Sequence, residues 1–220
     1  MDTLLLIDKP SGITSFGVIA KLRRILGEKK IGHAGTLDPL ATGLLLIGVG
    51  KQTKQLTSLV GLDKSYTADI LLGTATDTFD MEGAVTQETP DAIPPTIEDI
   101  QRALAPLTGT YIQRAPLFSA KKIGGKKLYD LARSGKATED MRPQKQITVE
   151  KIDIISYAYP HLIVDISCSS GTYIRTIADD LGRALGMGGC LYALRRTRIG
   201  SYFVTNAKTL TRLSLDIPLK

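Results

Sequence analysis

One carboxylate stands out for its surroundings. Asp38 lies in the run Gly32-His33-Ala34-Gly35-Thr36-Leu37-Asp38-Pro39-Leu40-Ala41-Thr42-Gly43. Gly32 and Gly35 ahead of it let the backbone approach a ligand closely, and Pro39 fixes the chain just behind it. Leu37, Leu40 and Leu44 can pack underneath. Such a loop presents one acid group rigidly, and an ordinary carboxylate, ionised at neutral pH, can serve as nucleophile or base without prior activation. The same Asp-Pro pair also opens ordinary turns, so composition by itself leaves a purely structural role open.

Other residues could contribute chemistry, though each has a plainer use. Arg175 could hold a carboxylate ionised and oriented through its planar fork, or it could be a surface arginine on a helix. A tyrosine ring such as Tyr66 commonly fills core. A loop histidine such as His33 is usually surface, and Tyr173 and Leu194 would pass as core.

The elements that must hold these groups follow from periodicity. Leu4 to Asp8 reads as a buried strand, followed by a Pro-Ser-Gly turn and an amphipathic helix from Ser15 to Leu26. Residues 28–43 are expected to form a loop with no regular element, long enough inside a compact chain to suggest a function. Residues 43–49 read as a fully buried strand, 51–59 as a short helix and 66–72 as a half-buried strand. Strand signals recur near 83–88 and 108–123. Thr96, with Asp99 three residues on, opens a helix with a capping box, and Leu128 to Arg133 forms another. The last third gives a strand at 162–168, a helix from Thr172 to Leu185 and a return to strand between 190 and 204. The sum is mixed α+β with mainly antiparallel neighbours and flanking helices.

Of the 220 residues 43% are hydrophobic, enough for a core and too many for a disordered chain. No apolar run approaches the roughly 18 residues of a membrane-spanning helix, and the N-terminus lacks the features of a secretory signal. A cytoplasmic protein is expected, with Cys168 and Cys190 as reduced thiols. The net charge of +6 is unevenly spread, because residues 114–151 carry ten Lys or Arg against four Asp or Glu while the rest of the chain balances. That stretch is either a polyanion-binding surface or a solvated loop.

Four separate blocks then point the same way. Gly32 to Leu45, Lys64-Ser65-Tyr66 with Leu72-Gly73 and Thr76-Asp77-Thr78, Ser119-Ala120-Lys121 with Gly125-Lys126-Lys127-Leu128-Tyr129, and Ser170-Gly171-Thr172-Tyr173-Ile174-Arg175 together resemble the TruB-type tRNA pseudouridine synthases. Asp8-Lys9-Pro10-Ser11-Gly12 fits as well, and the blocks run in the family's order over residues 3–204. The resemblance implies the pseudouridine synthase fold, with an active cleft across the middle of a mixed sheet, as one catalytic domain over residues 1–220. It implies an RNA-binding insertion at about 114–151 and a short form without the C-terminal PUA domain. The implied activity is isomerisation of uridine 55 in the tRNA T-loop to pseudouridine. Asp38 matches the catalytic aspartate, Arg175 its ion-pair partner and Tyr66 the tyrosine that stacks on the target base. His33 matches the residue that fills the space left by the extruded nucleotide, and Tyr173 and Leu194 match substrate-pocket positions. Lys9, Lys121, Lys126 and Lys127 are assigned to substrate binding, Lys122 is expected to contact phosphate as well, and Arg195, Arg196 and Arg198 extend the basic inventory.

No cofactor is expected, because a Walker loop, a dinucleotide fingerprint and a nucleophile elbow are all missing. The two histidines and two cysteines lack metal-ligand spacing, so no metal is expected either. The partner is the T-arm of tRNA, and the state expected is a monomer. Two rival readings are a tRNA-folding chaperone with secondary or lost catalysis, and a guide-RNA-dependent subunit like those of box H/ACA particles.

Overall fold

The structure is a computed structural model that describes residues 2–119 and 121–216. Its chain order is β1 (Thr3–Lys9), α1 (Ser15–Leu26), β2 (Ile31–Ala34), β3 (Thr42–Val49), α2 (Leu56–Val60), β4 (Lys64–Leu72), β5 (Thr74–Thr76), β6 (Val85–Glu88), α3 (Ile97–Leu104) and β7 (Gly109–Arg114). It continues through β8 (Lys122–Ile123), β9 (Lys126–Lys127), α4 (Leu128–Arg133), β10 (Gln144–Ala158), β11 (His161–Cys168), α5 (Ile174–Ala184), β12 (Gly189–Ile199), β13 (Tyr202–Phe203), β14 (Lys208–Thr209) and α6 (Leu210–Asp216). The fold is mixed α and β with mainly antiparallel pairing, as expected. Contacts gather in two compact units, residues 1–67 with 193–220 and residues 68–192, and the chain passes between them inside β4 and again inside β12.

The first unit is built on β3. Its apolar run is buried on both faces: Leu45, Ile47 and Val49 pack with Ile7 and with Val18, Ile19 and Leu22 of α1, while Leu44 and Leu46 pack with Ala34, Leu56 and Ile199. Each such side chain contributes about 1.5–3 kcal/mol of hydrophobic stabilisation. One edge of β3 pairs with the whole of β1, from Thr3 opposite Val49 to Lys9 opposite Gly43. The other edge is shared. β2 takes its C-terminal half, and β12, running parallel, meets its start through Arg195 opposite Thr42 and Arg196 opposite Gly43. Helix α1 is fixed at its start by Thr14, whose hydroxyl accepts from the Gly17 amide at 2.9 Å, and it ends at left-handed Gly27.

Strand β2 corrects the expected loop at 28–43. Ile31 to Ala34 pair with Val49 to Leu46, so the segment without regular structure before β3 shrinks to residues 35–41. Gly32 and His33 have little strand preference of their own, and the partner strand supplies what local sequence does not.

In the second unit β4, β11, β10 and β7 lie in that order. β10 was not anticipated. Its fifteen residues pair with β11 and β7, and the expected strand at 108–123 shrinks to Gly109–Arg114 before the separate β8–β9 ladder. Register shifts at Val149/Lys151 and Ile154/Ser156 break the alternation that would have revealed β10. The basic stretch at 114–151 therefore runs into a sheet strand at its end. Helix α3 carries the expected capping box between Thr96 and Asp99. Helix α5 lies close to the turn after it: a Cβ on Gly182 would sit 2.0 Å from the Gly189 amide nitrogen, so only glycine fits.

Candidate active site

Residues 35–41 hang between the end of β2 and the start of β3, and almost every peptide around Asp38 is held. On one side stands the β1–α1 connection. The Ser15 hydroxyl accepts from the Leu37 amide at 2.8 Å and donates to the Leu37 carbonyl at 3.1 Å. The Pro39 carbonyl accepts from the Gly12 amide at 2.9 Å and from the Lys9 ammonium at 3.2 Å, and the Leu40 carbonyl accepts from the Ser11 hydroxyl. Leu37 and Ala41 are buried beneath. The two residues flanking Asp38 are thus fixed from the same direction, while Asp38 itself is half-buried.

On the other side stands β12. Arg196 is buried, and its guanidinium donates to the carbonyls of Leu44 at 2.8 Å, Thr36 at 3.3 Å and Gly35 at 3.1 Å, with Tyr66 beside it. Burial pulls this guanidinium below its ordinary value, and the neighbouring Tyr66 opposes that. Gly43 completes the junction. Its φ is +99°, and a Cβ there would meet the Arg196 carbonyl oxygen at 2.3 Å.

His33, on β2, has its pKa lowered, first by burial and then by the Arg196 charge, with a hydrogen bond to the Gly35 backbone acting in the opposite sense. Its Nδ1 finds no hydrogen-bond partner among the described residues. Leu194 is half-buried, and its carbonyl accepts from the Thr42 hydroxyl at 3.3 Å. Arg196 thus holds the backbone just ahead of Asp38, with His33 and Tyr66 within reach of its charge, all within the first unit.

The second unit holds another buried arginine. Arg175, in the first turn of α5, donates to the Thr78 carbonyl at 2.9 Å and the Phe118 carbonyl at 3.1 Å, and pairs with the Asp80 carboxylate at 3.3 Å. Asp80 also accepts from the Thr78 hydroxyl at 2.6 Å and the Glu82 amide at 3.0 Å. Between Thr78 and Asp80, Phe79 has a φ of +65°, rare for a bulky side chain and held here by its neighbours. Tyr173 is fixed through its backbone by the Gln113 amide, which donates to its carbonyl at 3.0 Å and accepts from its N–H at 2.8 Å. Tyr173 and Lys121 line one cavity of about 120 Å³ with Gln113, Gln144 and Lys145.

Residues 23–174 match the profile of the TruB family pseudouridylate synthase N-terminal domain, and residues 175–216 match the tRNA pseudouridylate synthase B C-terminal domain. The chain belongs to the TruB family. Its TruB relatives include a Corynebacterium diphtheriae protein named tRNA pseudouridine synthase B, 44% identical over 96% of this chain and 71% of its own length. Proteins of the same name from Aromatoleum aromaticum (46%, covering 97% and 68%) and Protochlamydia amoebophila (47%, covering 94% and 77%) are similar. Among solved structures the fold is like a chain in a Cbf5–Nop10–Gar1 complex, with a TM-score of 0.73 and 28% identity over 96% of this chain. A chain of an H/ACA RNP bound to a substrate RNA containing 2′-deoxyuridine gives 0.71 and 25%. This TruB chain spans about half the length of those two, 53% and 52%.

Several basic residues of the TruB chain stand elsewhere than expected. Lys9 is fully buried, its ammonium committed to the carbonyls of Pro10, Ile13 and Pro39, so it braces the Asp38 loop rather than offering charge to RNA. Arg195 forms a two-pronged pair with Asp8, at 3.0 and 2.8 Å, and Arg198 binds the Ser65 hydroxyl and the Gly200 carbonyl. With Arg196 buried, this trio is not a reserve of open positive charge. Lys121 and Lys126 are exposed, and the side chains of Lys122 and Lys127 lie outside the described residues. Ser15, Asp80, Gln113 and the bracing role of Arg196 escaped sequence reasoning. Only the quoted Thr76-Asp77-Thr78 block pointed near one of them.

Proposed function

We propose that this chain is an isomerase that converts uridine in tRNA to pseudouridine, acting at position 55 of the T-loop. The observation that carries the reading is the Asp38 segment, with both flanking residues held by the β1–α1 connection and the preceding carbonyls held by Arg196, in a chain whose relatives are named tRNA pseudouridine synthase B. A rigidly presented carboxylate suits a reaction in which one group must meet a sugar at a set distance.

A uridine stacked in a folded T-loop hides its glycosidic bond, so the nucleotide is extruded at a cost of a few kcal/mol. Stacking on Tyr66 offsets about 1–3 kcal/mol of that. Asp38 promotes cleavage between N1 and C1′, either by attack on the ribose or by assisting proton removal beside it, with Arg175 in the ion-pair role expected from the sequence. Uracil turns, rejoins C1′ through C5 and loses the C5 proton while N1 gains one. The atoms balance without redox change or added energy. Lys121 and Lys126 contact phosphate, where they position the RNA without reading its sequence.

The test is incubation of the purified protein with unmodified T-arm RNA, reading pseudouridine by mass spectrometry and mapping its position. Conversion at position 55 without guide RNA is expected. Refolding of tRNA without rearrangement of any base would replace this reading with the chaperone, and activity only with an added guide RNA would replace it with a guided subunit.

A further inference from the structure

The Arg196 guanidinium joins groups that the proposed reaction needs in fixed relation. It reaches the Gly35 and Thr36 carbonyls just ahead of Asp38 and the Leu44 carbonyl just behind the loop, and it lies beside Tyr66. Its hydrogen-bond acceptors among the described residues are backbone carbonyls rather than a carboxylate. A buried cation without a carboxylate is an expensive way to fill core, and an apolar side chain of similar volume would stabilise a merely structural junction at least as well. What an apolar side chain cannot do is reach three carbonyls on two chain segments with one rigid plane of five donors. The strand register makes the plane's place exact to one residue, because Arg196 lies directly opposite Gly43, where a Cβ would strike the backbone.

We infer that Arg196 is a positioning residue, which sets the Asp38 loop and the Tyr66 ring relative to each other for the isomerisation. This rests on the proposed function. A lysine at 196 keeps the charge but offers three donors from a single point, so it cannot hold the Gly35–Thr36 peptides in plane and keep its place beside Tyr66.

The experiment is single-turnover pseudouridine formation on T-arm RNA by wild type, Arg196→Lys and Arg196→Gln, each with its RNA dissociation constant and thermal midpoint. Arg196→Lys is expected to lower the rate by about 100-fold, the scale of a misplacement near 1 Å, with RNA affinity within about threefold. Tyr66→Phe in the Arg196→Lys background should cost clearly less than in wild type, because the phenol has already lost the guanidinium beside it. A folded Arg196→Lys that keeps the rate within about threefold, or costs that simply add, overturns the inference. Should both variants fail to fold, nuclear magnetic resonance of the wild-type guanidinium decides. Its protons should exchange slowly and shift on Tyr66→Phe, and rapid exchange or no response overturns it. Wild-type protein that makes no pseudouridine at all would defeat the functional reading instead, an outcome separate from these.

Discussion

Asp38 is unusual less for its own contacts than for those of its neighbours. Leu37 is held at both its amide and its carbonyl by one serine hydroxyl, and Pro39 by an amide and an ammonium. Asp38→Asn keeps the shape and removes the charge, so it should fold and bind T-arm RNA while losing at least about 10⁴-fold in turnover. Substantial residual pseudouridine by mass spectrometry would end the assignment. His33 supplies a pH dependence. Its pKa in the folded chain is depressed, by burial first and then by Arg196, whereas the unfolded chain takes up the proton near the ordinary value of about 6.5. Between those two values the unfolded state holds more protons, so its share of stability is fully present above about pH 6.5 and is lost as pH falls through the window below. Urea unfolding from about pH 5 to pH 7.5 should show wild type losing more stability toward acid than His33→Gln, and parallel curves would contradict it. The residue scale also shows what sequence conceals. Asp38, Tyr66 and His33 are readable because motif blocks contain them, whereas Lys9, assigned to substrate binding, and Arg196, placed only in the basic inventory, are both buried. A charged side chain is mostly exposed by prior, and only long-range strand pairing reverses that here.

At the scale of elements, β1 and β3 are legible as continuous apolar runs and α1 as a helical repeat, and Thr14 and Gly27 mark the helix ends. β2 and β10 are not. The first borrows its strand character from β3, and the second carries two register shifts that scramble its pattern. Gly43 belongs to this scale, since it joins the Asp38 loop to β3 and faces Arg196 of β12. Gly43→Ala combines a left-handed φ with a Cβ 2.3 Å from a backbone oxygen that no side-chain rotation relieves. A loss of more than about 3 kcal/mol is expected in denaturant unfolding, toward the upper end for point substitutions. A loss below about 1 kcal/mol would mean that the β3–β12 junction yields.

Over the whole molecule the charge excess at 114–151 was legible as a number but not as a surface. Arg142 is buried, donating to the carbonyls of Ala115 and Arg114 and to Glu139, and Lys145 donates to the Ser170 carbonyl at 2.6 Å. Fewer phosphate-binding cations remain than ten residues suggest. Lys121 and Lys126 are the exposed pair on which the proposed RNA contact rests. Replacing each with alanine should lower the slope of log affinity against log salt by roughly 0.7–0.9. An unchanged slope for both would move the RNA contact off these two lysines. No helix among the described residues is long and apolar enough to cross a membrane.

The Arg196 brace lies 160 residues beyond the peptide at Thr36 that it holds. A ribosome adding roughly 5–20 residues per second therefore leaves the nascent loop without its last clamp for roughly 8–32 s. On the proposed function, competence to act on RNA waits for β12, and a chain stalled before that strand would carry the Asp38 carboxylate yet lack the means to aim it.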